Sequence, residues 1–459
     1  MNNSFDQIKN LKKIHFIGIG GSGMYGIAEV LLNLGCSVSG SDLVQSTITR
    51  RLRSLGVKIF TKHSVSNLKN VDLIVYSTAI KKNNPELRFA EKNKIIIIPR
   101  AKMLAELMRF KYGITVAGSH GKSTTTSLIS WILAESKLDP TYIVGGKLKS
   151  SNNHGRLGHG KYLIAEADES DSSFLYLSPE LGVVTNIDNE HLDNYDNDFK
   201  NLQTAYLTYI NNIPFYGRVF LNGDDKNIRT IINKINRSIV TFGFKYENDF
   251  YAKNIVYNKD GMSFSIINNK STYKIKTKLF SKHNILNILA SFSISLFLKI
   301  PSKKIIQAIK SFEGISRRFD IYNNFKSKFG EYTLINDYGH HPTEIKYTVE
   351  TIREVWKDKK IFMIFQPHRY TRTKNCLTQF IEVLSKVDKV ILTETYSGGE
   401  RKTKFSSYFL YNKLKEHNIY CQYVKDIDKI PDKLKNLFEN DNIVLVQGAG
   451  NISQVIKLL

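Results

Sequence analysis

Two glycine-rich segments, each set between a short apolar β-type run and a helix-like run, confine this chain to an α/β architecture. In the first, Ile14–Ile17 leads into Gly18, Gly20 and Gly23, and the amphipathic stretch Met24–Leu34 follows. In the second, Ile114–Ala117 leads into Gly118-Ser119-His120-Gly121-Lys122-Ser123-Thr124, where a helical run begins. Strand, turn and helix in that order form the unit of doubly wound parallel sheets. Each turn also has a chemical reading. Glycines let backbone N–H groups face an anion at a helix N-terminus, where the helix dipole favours negative charge.

The alternation continues along 459 residues, a length for about three domains. The first block, 1–112, has further strand-like runs at Cys36–Gly40, Val57–Phe60, Leu73–Ser77 and Ile95–Ile98, and a helical run at Ala101–Phe110. The second, 113–313, has runs at Tyr162–Ala165 and Val183–Asn186, a polar β-rich stretch at Tyr251–Lys276, and helical runs at His283–Leu298 and from Pro301 to Phe312. The third, 314–459, has strand-like runs at Leu334–Asp337, Ile361–Gln366, Lys389–Thr393 and Ile443–Gln447. The short join Glu313–Ile315 is the expected hinge.

Composition narrows the function classes. With 42% hydrophobic and 24% charged residues the chain reads as globular. No apolar run reaches the roughly 18 residues that span a bilayer, so no membrane insertion is expected. The N-terminal MNNSFDQIKNLKK lacks the apolar core of a secretory signal. Cys36, Cys376 and Cys421 form neither a CxxC pair nor an even framework, which fits a reducing cytoplasm. The net charge of +24 is spread as lysines along the whole length with no arginine-rich arm. Nucleic acid is therefore not an expected partner, while anionic nucleotide substrates gain from the field.

The second glycine loop has the layout of a phosphate-binding loop. Lys122 supplies a point charge, and the Ser123 hydroxyl is placed to reach Mg²⁺, which makes ATP the expected nucleotide. The match is not strict, because Val116 stands where the general pattern has its first glycine and Gly118 comes two residues later. The first turn is a GxGxxG followed by Asp42 at the end of the next strand-like run, the pattern that holds a diphosphate. NAD, FAD and a UDP-sugar all satisfy it. Glu166, at the end of Tyr162–Ala165, sits where parallel sheets hold Mg²⁺ beside a phosphate loop, and His191 follows a strand expected to be its neighbour. Three further clusters stand at or beside expected strand ends: Arg317-Arg318-Phe319-Asp320, Asn336 to Pro342, and Gln366 to Arg372. Arginines so placed grip carboxylate or phosphate bidentately.

Taken together, HFIGIGGSGMYGIAEVL, GSDL, AKMLAELMRF, AGSHGKSTTT, LGHGKYLIAEADESDSSFL, KHNILN, RRFD, DYGHHPTE, FQPHRYTRT and VQGAGNI resemble the Mur ligases in the same order over nearly the whole chain. The resemblance implies three domains: a Rossmann-like UDP-sugar domain, a P-loop ATPase-type central domain with a mostly parallel sheet, and a C-terminal Rossmann-like α/β domain that brings the amino acid. It implies ATP-dependent addition of L-alanine to UDP-N-acetylmuramate in a cytoplasmic monomer or homodimer.

The same resemblance distributes roles among residues. Gly18, Gly20, Gly21, Ser22, Gly23 and Asp42 fall to the UDP-sugar. Gly118 to Thr124 fall to ATP, with Lys122 on the β/γ-phosphates. His283, Asn284 and Asn287 fall to the adenine side, and Arg318 and Asp337 reach ATP from the third domain. Ser123, Glu166 and His191 hold Mg²⁺. Tyr338, His340, Arg369 and Arg372 orient alanine, with His340 the candidate base. The chain departs from the family pattern in Ser123 for threonine, Glu190 for aspartate, Asn336 for an acid and Ser281 for glycine. Thr204–Ile210 contains no lysine, so the carboxylated lysine of some related ligases is not expected.

Overall fold

The computed structural model describes residues 13–77, 79–145, 155–269, 271–327, 330–435 and 442–459. They build three sheets covered by helices. The chain divides into two compact units. The first takes residues up to 256 together with 263–278 and 284–315, and carries the first sheet and nearly all of the second. The second unit takes 257–262, 279–283 and 316–459, and carries the third sheet.

In the first sheet, β1 (Lys13–Ile17), β2 (Ser37–Ser41), β3 (Lys58–Phe60), β4 (Leu73–Tyr76) and β5 (Ile96–Pro99) lie in the order β3-β2-β1-β4-β5, every pairing parallel. Ile14, Phe16, Ile74 and Val75 are buried because parallel strands are covered on both faces. Strand order reverses between β1 and β4, and such a switch point opens a crevice at the strands' C-terminal ends. The covering helices are α1 (Ser22–Asn33), α2 (Thr47–Ser54), α3 (Pro85–Lys92) and α4 (Arg100–Met108). Apolar periodicity does not announce α2, which carries Arg50, Arg51 and Arg53 and buries only Thr49 and Leu52. Its start is set by a capping box between Ser46 and Thr49. Asn84 and Pro85 open α3 in the same local way.

Among the described residues the second sheet has ten strands. They are β6 (Tyr112–Ala117), β7 (Thr141–Ile143), β8 (Gly155–Arg156), β9 (Tyr162–Glu166), β10 (Leu181–Val184), β11 (Arg218–Asn222), β12 (Ser238–Gly243), β13 (Phe250–Asn258), β14 (Gly261–Asn268) and β15 (Ser271–Thr277). The order is β15-β14-β13-β12-β11-β10-β6-β9-β7-β8. The polar stretch 251–276 is thus three strands at one edge. β6 lies between β9 and β10, parallel to both, so its following loop opens beside the ends of two neighbours. The helices are α5 (Lys122–Glu135), α6 (Phe199–Asn211), α7 (Lys226–Ile231), α8 (Lys282–Phe297) and α9 (Ser302–Ser311). Nearly every face of α5 from Thr124 to Leu133 is buried, which its short Thr and Ser side chains permit.

The third sheet comprises β16 (Asp320–Ser327), β17 (Gly330–Asp337), β18 (Ile361–Phe365), β19 (Lys389–Leu392), β20 (Cys421–Tyr423) and β21 (Ile443–Gln447), in the order β16-β17-β21-β18-β19-β20. Only β16 is antiparallel to its neighbour. The strand runs expected at 334, 361, 389 and 443 are all present. The edge strands β16 and β20 were not expected: β16 is polar and largely exposed, and β20 has three residues. Around this sheet lie α10 (Pro342–Val355), α11 (Tyr370–Asn375), α12 (Leu377–Leu384), α13 (Ser407–Glu416) and α14 (Ile430–Lys435). Among the described residues no helix is long and apolar enough to cross a membrane.

Candidate active site

The first glycine turn stands at the end of β1. Gly18 and Ile19 donate to Ser41 O at 2.8 and 3.2 Å, Gly21 donates to Gly18 O, and Gly20 donates to Asp42 Oδ2 at 2.8 Å. Asp42 Oδ1 also accepts from Val44 N, so the acid expected at a ligand braces the turn itself. Ser22 opens α1, and its side chain lies outside the described set. Gly23 makes room for a residue that sequence reasoning missed. A β-carbon there would stand 2.7 Å from Arg100 Nη1. The Arg100 guanidinium donates to Ser173 Oγ at 3.3 Å and lies 4.0 Å from Asp171. Below the turn, buried Glu86 accepts from Ser41 Oγ at 2.6 Å and Asn67 Nδ2 at 2.7 Å, with His15 and His63 beside it. Burial would raise this carboxyl, but those partners hold it below its ordinary value.

The second loop follows β6. Gly121 caps α5 at φ +85°, and a β-carbon on it would meet Asn287 Oδ1 at 2.5 Å, so conformation and space both require glycine. Ser119 N and His120 N donate to Asn186 O and Oδ1 at 3.2 and 2.9 Å. The N–H groups left to face a ligand are therefore those of the first turn of α5, which an α-helix leaves without intrahelical partners. His120 pairs with Asp188 at 3.3 Å. Asn287 accepts from Thr125 Oγ1 at 3.1 Å and donates to Asn284 at 3.0 Å, so these two α8 residues support the loop's helix. His283 is bonded to Ser281 Oγ at 2.7 Å.

Charge is concentrated beside this loop. Lys122 Nζ donates to Gly118 O at 2.6 Å and to both Glu169 oxygens at 2.7 and 2.9 Å. Burial alone would lower the Lys122 pKa, but Glu169 and Asp168 hold it above the ordinary value, so the ammonium stays charged. At the end of β9, Glu166 accepts from Gly145 N at 2.6 Å, and Ser123 lies close enough to favour its charged form. Burial pushes the Glu166 carboxyl up. Burial works against the Asp168 charge too, but Lys122 and Arg100 hold its carboxyl below the ordinary value. His191 follows β10 at φ +57°, its ring 3.8 Å from Glu190. One cavity of about 230 Å³ is lined by Gly21, Gly23 and Arg100 on one side and by Gly145, Glu166 and Asp168 on the other. It therefore runs from the first glycine turn to the acids beside the second.

The remaining candidates lie in the second unit. The guanidinium groups of Arg317 and Arg318 lie over the Tyr338 ring at 5.0 and 4.9 Å, and Arg318 pairs with Glu344 at 3.2 Å. Asp337 is buried and takes up its oxygens on Phe319 N, Gly339 N, Thr348 Oγ1 and Gln447 Nε2. It organises the loop after β17. The Tyr338 ring meets His340 edge-on at 5.6 Å, and His340 lies 5.2 Å from His368. His368 is a second residue not singled out from the sequence. Arg372 Nη1 lies 3.2 Å from His368 Nδ1, and the ring stacks on Tyr396. Burial, then His340, Arg372 and Arg369, push the His368 pKa down to about 3, so the ring is neutral and Nδ1 accepts from Arg372. Arg369 sits at φ +70°, and its buried Nε has no hydrogen-bond partner among the described residues. A buried donor of that kind points to a ligand. The structure thus gathers Tyr338, His340 and Arg372 around His368, with Arg369 beside them.

Comparison with known proteins agrees with this arrangement. Residues 13–112 match the catalytic domain of the Mur ligase family, 116–295 the Mur ligase middle domain, and 317–450 the Mur ligase glutamate ligase domain. The chain is 43% identical over 451 residues to the UDP-N-acetylmuramate–L-alanine ligase of Methylobacillus flagellatus, covering 97% of this chain and 95% of that one. It is 45% identical to the enzyme of the same name from Vesicomyosocius okutanii, covering 98% and 97%. The crystal structure of UDP-N-acetylmuramate-alanine ligase from Thermotoga maritima superposes with a TM-score of 0.82 at 27% identity, over 97% of each chain. A strand-end acid beside a phosphate loop, a cavity leading there from a second glycine turn, and full-length likeness to these enzymes together place the chain in the Mur ligase family.

Proposed function

We propose that this chain joins L-alanine to the lactyl carboxylate of UDP-N-acetylmuramate at the expense of ATP, giving ADP and phosphate, as a cytoplasmic step of peptidoglycan precursor synthesis. The reading takes 1–112 as the UDP-sugar domain, 113–313 as the ATP domain and 314–459 as the amino-acid domain. One observation carries it: the cavity from Gly21 and Gly23 to Glu166. A sugar nucleotide anchored by its diphosphate at the first turn would lay its carboxylate arm toward the phosphate loop.

In the first step a carboxylate oxygen forms a bond to the γ-phosphorus, the bond to the β-phosphate oxygen breaks, and ADP leaves. Two anions must approach, and the Lys122 ammonium with the first-turn N–H groups of α5 offsets their repulsion. In the second step the alanine nitrogen bonds to the acyl carbon, the acyl carbon–oxygen bond breaks, and phosphate leaves. The amine gives up a proton, for which His340 is the proposed acceptor. Ser123, Glu166 and His191 are the proposed Mg²⁺ holders. Ser123 and Glu166 offer the oxygen donors that a hard cation takes, burial disfavours Glu166 as a bare anion, and His191 would add an imidazole nitrogen. When bound, the ion supplies positive charge to the transferring phosphoryl group.

Arg369 and Arg372 are the proposed clamp for the alanine carboxylate. Arg372→Ala is expected to raise the alanine KM about a hundredfold, the size of a lost charge-assisted pair, with the ATP KM little changed. Equal rises in both would remove the clamp. The proposed function is tested by phosphate release from ATP with UDP-N-acetylmuramate, with and without L-alanine. Release that needs all three supports it. Release with a tripeptide in place of alanine would reassign the enzyme to peptide ligation.

A further inference from the structure

The Lys122 ammonium is fully engaged by groups of the protein itself. An ammonium carries three protons, and Gly118 O and the two Glu169 oxygens accept at 2.6, 2.7 and 2.9 Å, with Ser119 O a fourth neighbour at 3.4 Å. For Lys122 to reach a β- or γ-phosphate, at least one of these bonds must be exchanged. The Gly118 and Ser119 carbonyls belong to the loop that wraps the phosphates. The Glu169 carboxylate is the one anionic group among the three that supply these acceptors, and the one that a phosphate oxygen replaces in kind.

We infer that Glu169 is a positioning residue of the phosphate loop, a built-in stand-in for the nucleotide's terminal phosphate that keeps the Lys122 ammonium aimed and is exchanged when nucleotide binds. The inference rests on the ATP reading of that loop. Glu169 is built to hold its place: it is 1% exposed, and its own carbonyl accepts from Tyr195 Oη at 2.5 Å. It is also built to let go. Burial and the neighbouring Asp168 work against its charge, Lys122 works for it, and the carboxyl is left at about 7. A carboxylate that is costly to keep charged gives up its cation more readily than a well-solvated one. Tyr206, also buried, stays protonated, its pKa raised by burial and by Glu169.

The direction of the mutational effect is diagnostic. In Glu169→Gln the anion that competes with phosphate is gone. ADP and a non-hydrolysable ATP analogue should bind about tenfold more tightly, the worth of one charge-assisted bond. The same variant should lower kcat, because the exchange needs only one of the two Glu169–Lys122 bonds and the other no longer holds the ammonium in line, so the ATP KM and kcat fall together. A merely structural role would raise KM as kcat fell. Affinity is read by calorimetry on the full chain with Mg²⁺ present. Glu169→Asp, which keeps the charge and shortens the arm, should leave nucleotide affinity within about threefold of wild type. Unchanged or weaker nucleotide binding in Glu169→Gln, with UDP-N-acetylmuramate binding retained, overturns the inference. Wild-type enzyme that binds no nucleotide overturns the ATP reading instead.

Discussion

Lys122→Ala is expected to cut ADP formation about a thousandfold while UDP-N-acetylmuramate still binds, a loss at the upper end for one preorganised transition-state contact. The ammonium and the first turn of α5 are the positive groups of this loop, and Lys122 alone carries a full charge there. The substitution also strands Glu169 in a buried site. An unpaired buried carboxylate costs several kcal/mol, about 3–5 when one partner of a buried pair is removed, and the carboxyl answers by taking up a proton. The sign of the pH dependence follows. A carboxyl whose pKa is raised on folding contributes stability at pH below its unfolded value, and that contribution disappears as pH climbs past the folded value. Glu169 stands at about 7 with Lys122 holding it down, and higher once Lys122 is gone, so Lys122→Ala should lose stability against wild type as pH rises above about 7. Lys122→Met combined with Glu169→Gln should regain the stability without the activity. Wild-type turnover in Lys122→Ala would end the phosphate assignment. A stability difference that does not vary with pH would show that Glu169 was never charged.

The second large effect is expected at Glu166. Glu166→Ala should raise the Mg²⁺ concentration for half-maximal rate by ten- to a hundredfold or more, since even partners one step from a metal are worth that much. Glu166 is placed for this by two independent features. It is the last residue of β9, beside the phosphate loop of β6, and it lines the cavity that reaches there from the first glycine turn. Gly145 N–H, Ser123 and Lys122 oppose the burial that raises its pKa, and a divalent cation would oppose it more strongly. The measurement is an Mg²⁺ titration of phosphate release at saturating substrates. An unchanged midpoint would move the metal assignment away from β9.

Legibility from the sequence followed a physical division. The central strands β1, β4, β6, β18 and β21 are short, apolar and buried on both faces, so their composition announces them. Edge elements are set by pairing and caps, and β16 and α2 left no apolar signal. Lys122, Ser123 and Glu166 were legible because a glycine loop and a strand end fix where a side chain must project. Glu169 was not, because it lies past the strand end inside the run Glu166 to Asp171, where four acids offer no spacing rule to choose among them. Arg100 and His368 were missed for a related reason: their partners Gly23, Ser173, His340 and Tyr396 are neighbours only in space. The resemblance to the Mur ligases located segments well, but burial and hydrogen bonding were needed to show that Asp42 spends its oxygens on backbone amides and Asp337 on backbone amides, a hydroxyl and a side-chain amide.

The contact between Gly23 and Arg100 gives the glycine signature of the first turn a second meaning. The absent side chain at 23 is the seat of a guanidinium contributed from the start of α4. A side chain at 23 would oblige that guanidinium to swing aside, so a substitution at 23 should be felt at Arg100 and in the cavity that both residues line. Part of what reads as a cofactor fingerprint in such chains records steric accommodation within the protein, whatever nucleotide the crevice ends up accepting.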